Sequence, residues 1–403
     1  MFDPASVRFR GPITVHVAGF WVELVRQGYA PLSARNLLLV AAHLSRWLEQ
    51  RGLPLRRLTQ SHVVAFMAYR RRQGYTQFLT PRALEPLLVY LRGLGVVRPS
   101  SVAPIDSPLE RLLRDYVAYL VQERGLAAST IRSYIGFARE LAVARFGKRR
   151  APQWQRLSSA DVTEFVLRES RRWGVGYCRY KIPALRSFLR FLHVRGLLPH
   201  DLTGCVPAVA GWSLASLPKA LEPDQVARLL RAGDRQSPIA CRNAAMIRLL
   251  LRLGLRAGDL AALQLDDVDW RAGEIVVRGK SRRESRLPLP PDVSEALAVY
   301  LRRGRPPAPT RKVFLRSRAP YRALTSAGVI TAVIRVLRRA GVPTGGAHLL
   351  RHTAATQMLR RGASLSEIAH VLRHQRLATT AIYAKVDFVA LRSLAQPWPR
   401  GAA

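Results

Sequence analysis

His348 and Arg351 stand three residues apart, His374 follows, and Tyr383 comes nine positions after that. These residue types suit phosphoryl chemistry. A phenol is a nucleophile, a guanidinium neutralises non-bridging oxygens, and an imidazole donates or accepts a proton. At i and i+3, His348 and Arg351 share one face of a helix if the segment is helical. Arg360, Gly362, Ala363 and Ser364 read as a helix end, a glycine, and a serine capping a new helix. Leu365, Ile368, Ala369 and Leu372 continue with helical spacing. A helix, a turn, a second helix and a tyrosine-bearing segment would bring the polar groups towards one cleft. Taken alone, a His-x-x-Arg pair and a tyrosine also fit ordinary helix packing.

The elements that must position these groups belong to a chain of 403 residues, long enough for two or three domains. Hydrophobic content of 48% and charged content of 23% are those of a soluble globular protein. The charge balance is unusual: 65 Lys and Arg against 26 Asp and Glu leave a net charge of +39. Self-repulsion of that size is costly to a compact fold unless a polyanion is its normal partner. Nucleic acid is the leading candidate, held by contacts that weaken steeply with salt. An anionic membrane surface would call for a basic amphipathic or lipidated anchor, and none is seen. With no signal peptide and no apolar run near 18 residues, the expectation is a cytoplasmic protein. Cys178, Cys205 and Cys241 lack paired spacing, and the nine His do not repeat at ligand spacing, so neither disulfide, metal nor cofactor is expected.

Two segments of the first half echo each other. Leu58, Val63 and Phe66 correspond to Leu157, Val162 and Phe165. Ala83, Leu84, Leu87, Leu88, Leu91 and Gly95 correspond to Ala184, Leu185, Phe188, Leu189, Leu192 and Gly196. Gly28, Ser33 and Arg35 each precede Gly125, Thr130 and Arg132 by 97 residues, and the offset drifts to 101 in the later pairs. Each copy reads as four or five amphipathic helices. The expected division is a first helical domain over 1–100, a linker over 101–108, a second helical domain over 109–200, a linker over 201–220, and a third domain over 221–403. In the last, Glu222 to Val226 opens a helix and Cys241 to Leu253 forms a buried one. Strands are expected at Glu274 to Arg278 and Arg286 to Leu289, around a basic turn from Gly279 to Glu284. The fold class is mainly α with a small antiparallel β-sheet.

With these elements in place, the chain resembles the tyrosine recombinases of the phage-integrase and Xer type. Gly254, Leu255, Arg256 and Asp259 look like that family's first arginine box, and Lys280 like its hairpin lysine. His348 to Thr353 looks like its His-x-x-Arg box, Leu372 to His374 like its second histidine box, and Tyr383 like its nucleophile. The types occur in the family's order, and the likeness covers residues 109 to about 395, leaving the first repeat as an addition. Arg373 departs from the pattern by standing where a glycine usually precedes the second histidine. Ala355 stands where an aromatic often lies, and Asp259 replaces the commoner glutamate.

The resemblance implies helical DNA-binding domains ahead of a catalytic domain, and a site-specific recombinase or integrase that cuts and rejoins duplex DNA through a 3′-phosphotyrosyl intermediate and a Holliday junction. It implies a homotetramer on synapsed DNA, with other recombinases of the same mobile element as further partners. Tyr383 would be the nucleophile, Arg256 and Arg351 the clamps on the phosphate, and Lys280 the general acid for the 5′-oxygen. His348 and His374 would donate hydrogen bonds to the phosphate, His348 would be placed to take the tyrosine proton, and Asp259 would orient Arg256. His352, one residue off the box, reads as structural. Arg35, Arg82, Arg132, Lys181, Arg186 and Arg373 are candidate DNA contacts, and apolar residues from Phe388 to Leu394 could dock on a neighbouring protomer or on their own domain. Rival readings are a non-catalytic accessory binder of the same fold, and a topoisomerase or telomere resolvase sharing the chemistry.

Overall fold

The protein is described by a computed structural model covering residues 7–98, 107–147, 151–172, 175–207, 217–232, 237–279, 284–374 and 379–386. Lys280, the tip of the basic turn, most of the expected linker over 101–108, part of that over 201–220 and the segment from Phe388 to Leu394 lie outside the described residues. Two compact units divide the chain: Arg98–Ala215, and Met1–Val97 together with Ser216–Ala403.

The first helical bundle consists of α1 (Val17–Arg26), α2 (Pro31–Glu49), α3 (Gln60–Arg72) and α4 (Glu85–Gly93). Phe20, Leu24, Leu38, Leu44, Trp47, Phe66, Leu88 and Leu91 belong to its core. Pro31 suits the first turn of α2, where its missing N–H has no intrahelical partner to lose. At the start of α3, the His62 side chain accepts from the Thr59 N–H at 3.2 Å. Gly28 has φ +80° and faces the Tyr321 ring, where a Cβ would lie 2.1 Å from Cε2. A side chain there would be strained by the left-handed backbone and would have to displace the Tyr321 ring.

The unit Arg98–Ala215 carries α5 (Pro108–Gln122), α6 (Ala128–Phe146), α7 (Ser159–Arg172) and α8 (Val175–Val194). Tyr116, Trp154, Phe188 and Phe191 pack in its core. The positions that echo in sequence play equal parts in the two bundles. Leu58, Val63 and Phe66 are buried in one, as Leu157, Val162 and Phe165 are in the other. A short 3-10 turn precedes each set, Leu55–Arg57 and Trp154–Arg156.

The remaining elements are α9 (Pro223–Ala232), α10 (Pro238–Arg252), α11 (Ala257–Ala262), β1 (Val268–Asp269), β2 (Glu274–Arg278), β3 (Glu284–Pro288), α12 (Pro291–Val299), α13 (Ser326–Arg339), α14 (Ala347–Arg360) and α15 (Leu365–Val371). The strands form one antiparallel sheet in the order β1-β2-β3, with Ile275 opposite Leu287 and both buried. β3 begins at Glu284, two residues before the expected start, because Glu284 pairs with Arg278 across the ladder and accepts from its Nε at 2.9 Å. α10 likewise starts early, at Pro238, where the Ser237 hydroxyl accepts from the Ala240 N–H at 3.3 Å. From Ala240 to Leu251 almost every residue of α10 is buried, so this helix is the spine of the core. Among the described residues no helix is long and apolar enough to cross a membrane.

One buried hydroxyl ties the start of this region to α14. Thr353 Oγ1 accepts from the Leu221 N–H at 3.0 Å and donates to the Leu349 carbonyl at 2.8 Å, with no exposure to solvent. Thr353→Val keeps the shape but leaves a buried N–H without an acceptor. The expected cost is about 1–3 kcal/mol, read as a lower urea midpoint by far-UV circular dichroism. An unchanged midpoint would mean that the Leu221 N–H is not held there.

Candidate active site

Helix α14 presents His348, Arg351, His352 and Ala355 along one side, because residues three and four apart stack on a helix. The helix ends as its sequence predicts. Gly362 has φ +90°, and Ser364 caps α15 in a box with Glu367, each side chain meeting the other's backbone N–H at 3.2 and 2.8 Å. The short α15 then returns Leu372, Arg373 and His374 towards α14. Beyond it a 3-10 turn, Ala381–Val386, carries Tyr383. Ala355, Leu359, Ile368, Leu372 and Tyr383 share one small apolar cluster, so the tyrosine ring is packed, 1% exposed.

Arg351 is buried and binds two segments at once. Its Nη1 donates to the Gly254 carbonyl and its Nη2 to the Leu372 carbonyl. Gly254 has φ +59°, and a Cβ there would lie 2.4 Å from Leu372 Cδ2. The left-handed backbone therefore favours glycine, and a Cβ would also have to displace the Leu372 side chain. The next turn places Arg256 at the start of α11. The Asp259 carboxylate accepts from the Arg256 N–H at 2.9 Å, and Arg256 Nη2 donates to the Arg373 carbonyl at 3.3 Å.

Asp259 engages the backbone of Arg256, while its ion pair is with Arg373, Nη2 to Oδ2 at 2.6 Å. The side chains of that pair are 11% and 6% exposed, so Arg373, expected as a DNA contact, is an interior counter-ion. Its φ of +55° is the left-handed conformation that a glycine would adopt freely. Its Nε and Nη1 are buried and lack a hydrogen-bond partner among the described residues.

The electrostatics follow from burial of like charges. Desolvation, then Arg256, holds the Arg351 guanidinium down at about 10, with Arg373 adding to the effect and Tyr383 and Asp259 opposing it. His374 is pushed to about 4 by burial, then by Arg351, Arg256 and His352, and its Nδ1 lies 2.6 Å from Thr380 Oγ1. Partial burial and then Arg351 and Arg256 lower His348 as well. Burial raises the Tyr383 phenol, opposed by Arg351. Among the described residues Arg256, Arg351 and Arg373 meet one carboxylate, Asp259, so the site carries more positive charge than it neutralises.

His352, read from the sequence as structural, contacts the phenol: its Nδ1 lies 2.8 Å from Tyr383 Oη. The sequence does carry a signal for it, since position 352 lies one helical turn below His348, but counting only the His-x-x-Arg box hides it. The remaining candidate DNA contacts divide. Arg35, Arg82 and Arg132 are exposed, Lys181 pairs with Glu140, and Arg186 Nη2 donates to the Val206 carbonyl at 2.9 Å.

Comparison with known proteins shows the family of the chain. The phage integrase family model matches residues 219–389. A Sinorhizobium fredii protein, y4rA, provisionally named an integrase/recombinase, is 43% identical over 393 residues, covering 96% of this chain and 95% of its own. The tyrosine recombinase XerC of Lactobacillus delbrueckii subsp. bulgaricus is 30% identical over 285 residues, covering 68% of this chain and 94% of its own. In fold, the XerH site-specific recombinase, solved bound to palindromic difH substrate in a post-cleavage complex, matches with a TM-score of 0.53 at 18% identity, covering 91% of this chain and 97% of that one. The chain belongs to the phage integrase family and is a tyrosine recombinase, of the kind that cleaves and rejoins DNA.

The Arg373–Asp259 pair makes an ordered prediction. Arg373→Gly relieves a left-handed side chain, about 1–2 kcal/mol, but leaves a buried carboxylate without its ion pair, about 3–5 kcal/mol. The pair outweighs the strain, so Arg373→Gly should be less stable by about 2 kcal/mol, and Arg373→Ala, which keeps the strained backbone, less stable still. Urea unfolding checks the order, and a glycine variant as stable as the native protein would contradict it.

Proposed function

We propose that this chain cuts duplex DNA by attack of Tyr383 on a phosphodiester, forming a 3′-phosphotyrosyl link, and then rejoins the strand to a new partner. The observation that supports this most is the under-neutralised cluster of Arg256, Arg351 and Arg373 beside a buried tyrosine hydroxyl. A phosphodiester supplies the balancing negative charge, and its pentavalent transition state carries more of it. Arg256 and Arg351 would clamp the non-bridging oxygens, their planar forks matching a phosphate. His348 and His374 would add hydrogen bonds. For His374, an acceptor role of Nδ1 towards Thr380 leaves Nε2–H as the donor. Lys280, which falls between β2 and β3 in the sequence, would protonate the leaving 5′-oxygen. Asp259 and Arg373 would hold Arg256 in place.

The helical segments 1–100 and 109–200, linked through 101–108 and joined through 201–220 to a catalytic domain over 221–403, would grip the duplex. The net charge of +39 favours such a partner. Arg35, Arg82 and Arg132 are the exposed candidates for phosphate contacts. Assembly as a homotetramer on synapsed sites, exchange through a Holliday junction, work alongside other recombinases of a mobile element, and a place in the cytoplasm on the nucleoid complete the reading.

The test uses a nicked suicide duplex bearing the sequence that this protein selects from a random library. The native protein should give a covalent adduct on a denaturing gel, and Tyr383→Phe should give none while binding the same DNA. Specific binding by the native protein with no adduct would favour an accessory binder, and relaxed circles without recombinant products would favour a topoisomerase. Lys280→Ala should cleave about a hundredfold more slowly or worse. A 5′-bridging sulfur in the substrate, which leaves without a proton, should restore most of that loss. No restoration would remove Lys280 from the role of general acid.

A further inference from the structure

The nitrogen of His352 lies 2.8 Å from the oxygen that would attack phosphorus, on a residue outside the catalytic set implied by the resemblance. The pair is no stacking contact, since the ring planes are tilted by 59° with centroids 5.7 Å apart. Tyr383 is 1% exposed, so bulk water is a poor acceptor for its proton. The other imidazoles are worse placed. His374 Nδ1 lies 2.6 Å from Thr380 Oγ1, and His348 sits one helical turn further along α14. His352 faces Tyr383 from the 3-10 turn, His348 and Arg351 from its own helix, and His374 from the segment after α15. None of these is a carboxylate that would favour an imidazolium. Burial, then His348 and Arg351, accordingly holds its titration below the ordinary imidazole value.

We infer that His352 is the base that receives the phenolic proton of Tyr383 during strand cleavage and returns it during rejoining. The inference rests on Tyr383 being the nucleophile. As the Oη–P bond forms and the P–O5′ bond breaks, the O–H proton passes to Nδ1 and the electron pair of the broken bond goes to O5′. O5′ takes its own proton from the general acid, the role proposed for Lys280. The positive charge created on His352 is balanced by the phosphodiester of the bound DNA. In rejoining, the O5′–P bond forms as the 5′-hydroxyl returns its proton to the deprotonated general acid, and the P–Oη bond breaks with the His352 imidazolium reprotonating Oη, as reversibility of the step requires.

The test measures single-turnover adduct formation by the full chain on the nicked suicide duplex. His352→Asn offers a polar group near Nδ1 without its basicity, and His352→Phe removes both. Each should slow cleavage about a hundredfold, with DNA binding and far-UV circular dichroism as in the native protein for the asparagine variant. Replacing Tyr383 by 3,5-difluorotyrosine, a more acidic phenol, should recover most of the loss in His352→Asn and change the native rate little. The native rate should fall on acidification below the ordinary imidazole range as His352 becomes protonated, and that fall should be absent in His352→Asn. Native-like cleavage by His352→Asn, or a deficit that the fluorinated tyrosine leaves untouched, overturns the inference. Failure of the underlying reading looks different: the native protein itself then gives no more adduct than Tyr383→Phe, and the inference falls with it.

Discussion

A buried guanidinium organises this site. Arg351 reaches from α14 to the carbonyl of Gly254 on one side and of Leu372 on the other, linking segments far apart in sequence. Taking that charge out of water is unfavourable, and two carbonyls recover only part of the loss. What surrounds it follows from that constraint. The backbone at 254 must come close enough to receive the bond, in a left-handed conformation that favours glycine and brings it against the Leu372 side chain. The turn after α15 must present a carbonyl inward, which turns the following residues, Arg373 and His374, into the same pocket.

The consequence is a pocket whose cations outnumber its anions among the described residues. Asp259 serves Arg256 through the backbone and Arg373 through an ion pair, and one carboxylate cannot balance three guanidinium groups. Burial, then Arg256, lowers the affinity of Arg351 for its proton, and burial followed by neighbouring cationic groups lowers that of His374 and His352. A site arranged this way is less stable on its own than an apolar core of the same size. That is the usual mark of a place built for a charged reaction rather than for folding. The long hydrophobic α10, buried on almost every side, supplies the rigid support against which such a strained pocket can be held.

The helical bundles answer a separate demand. Each has its own core, aromatic-rich in the unit Arg98–Ala215 and centred on leucines, Trp47 and two phenylalanines in the N-terminal bundle. Because among the described residues those cores share no buried residue with the pocket, changes on their surfaces need not disturb its geometry. Such an arrangement lets the outer surface vary while the chemistry stays fixed.

Much of this is legible in the sequence because it depends on local spacing. The side of α14 that carries His348 and Arg351, the glycine and serine that end one helix and cap the next, and the antiparallel strands around a basic turn all follow from periodicity and capping. The order of the arginine, histidine and tyrosine boxes along the chain is enough by itself to carry the family resemblance. Spacing does not say what lies across a cleft. Arg373 reads from the sequence as a DNA contact, yet it turns inward, because Asp259 lies there in space and more than a hundred residues away in the chain. His352 reads as structural, yet it meets Tyr383, because the 3-10 turn folds back onto α14. A helix fixes which residues share a face, while the partner of that face is chosen by long-range packing, and only the tertiary structure decides it.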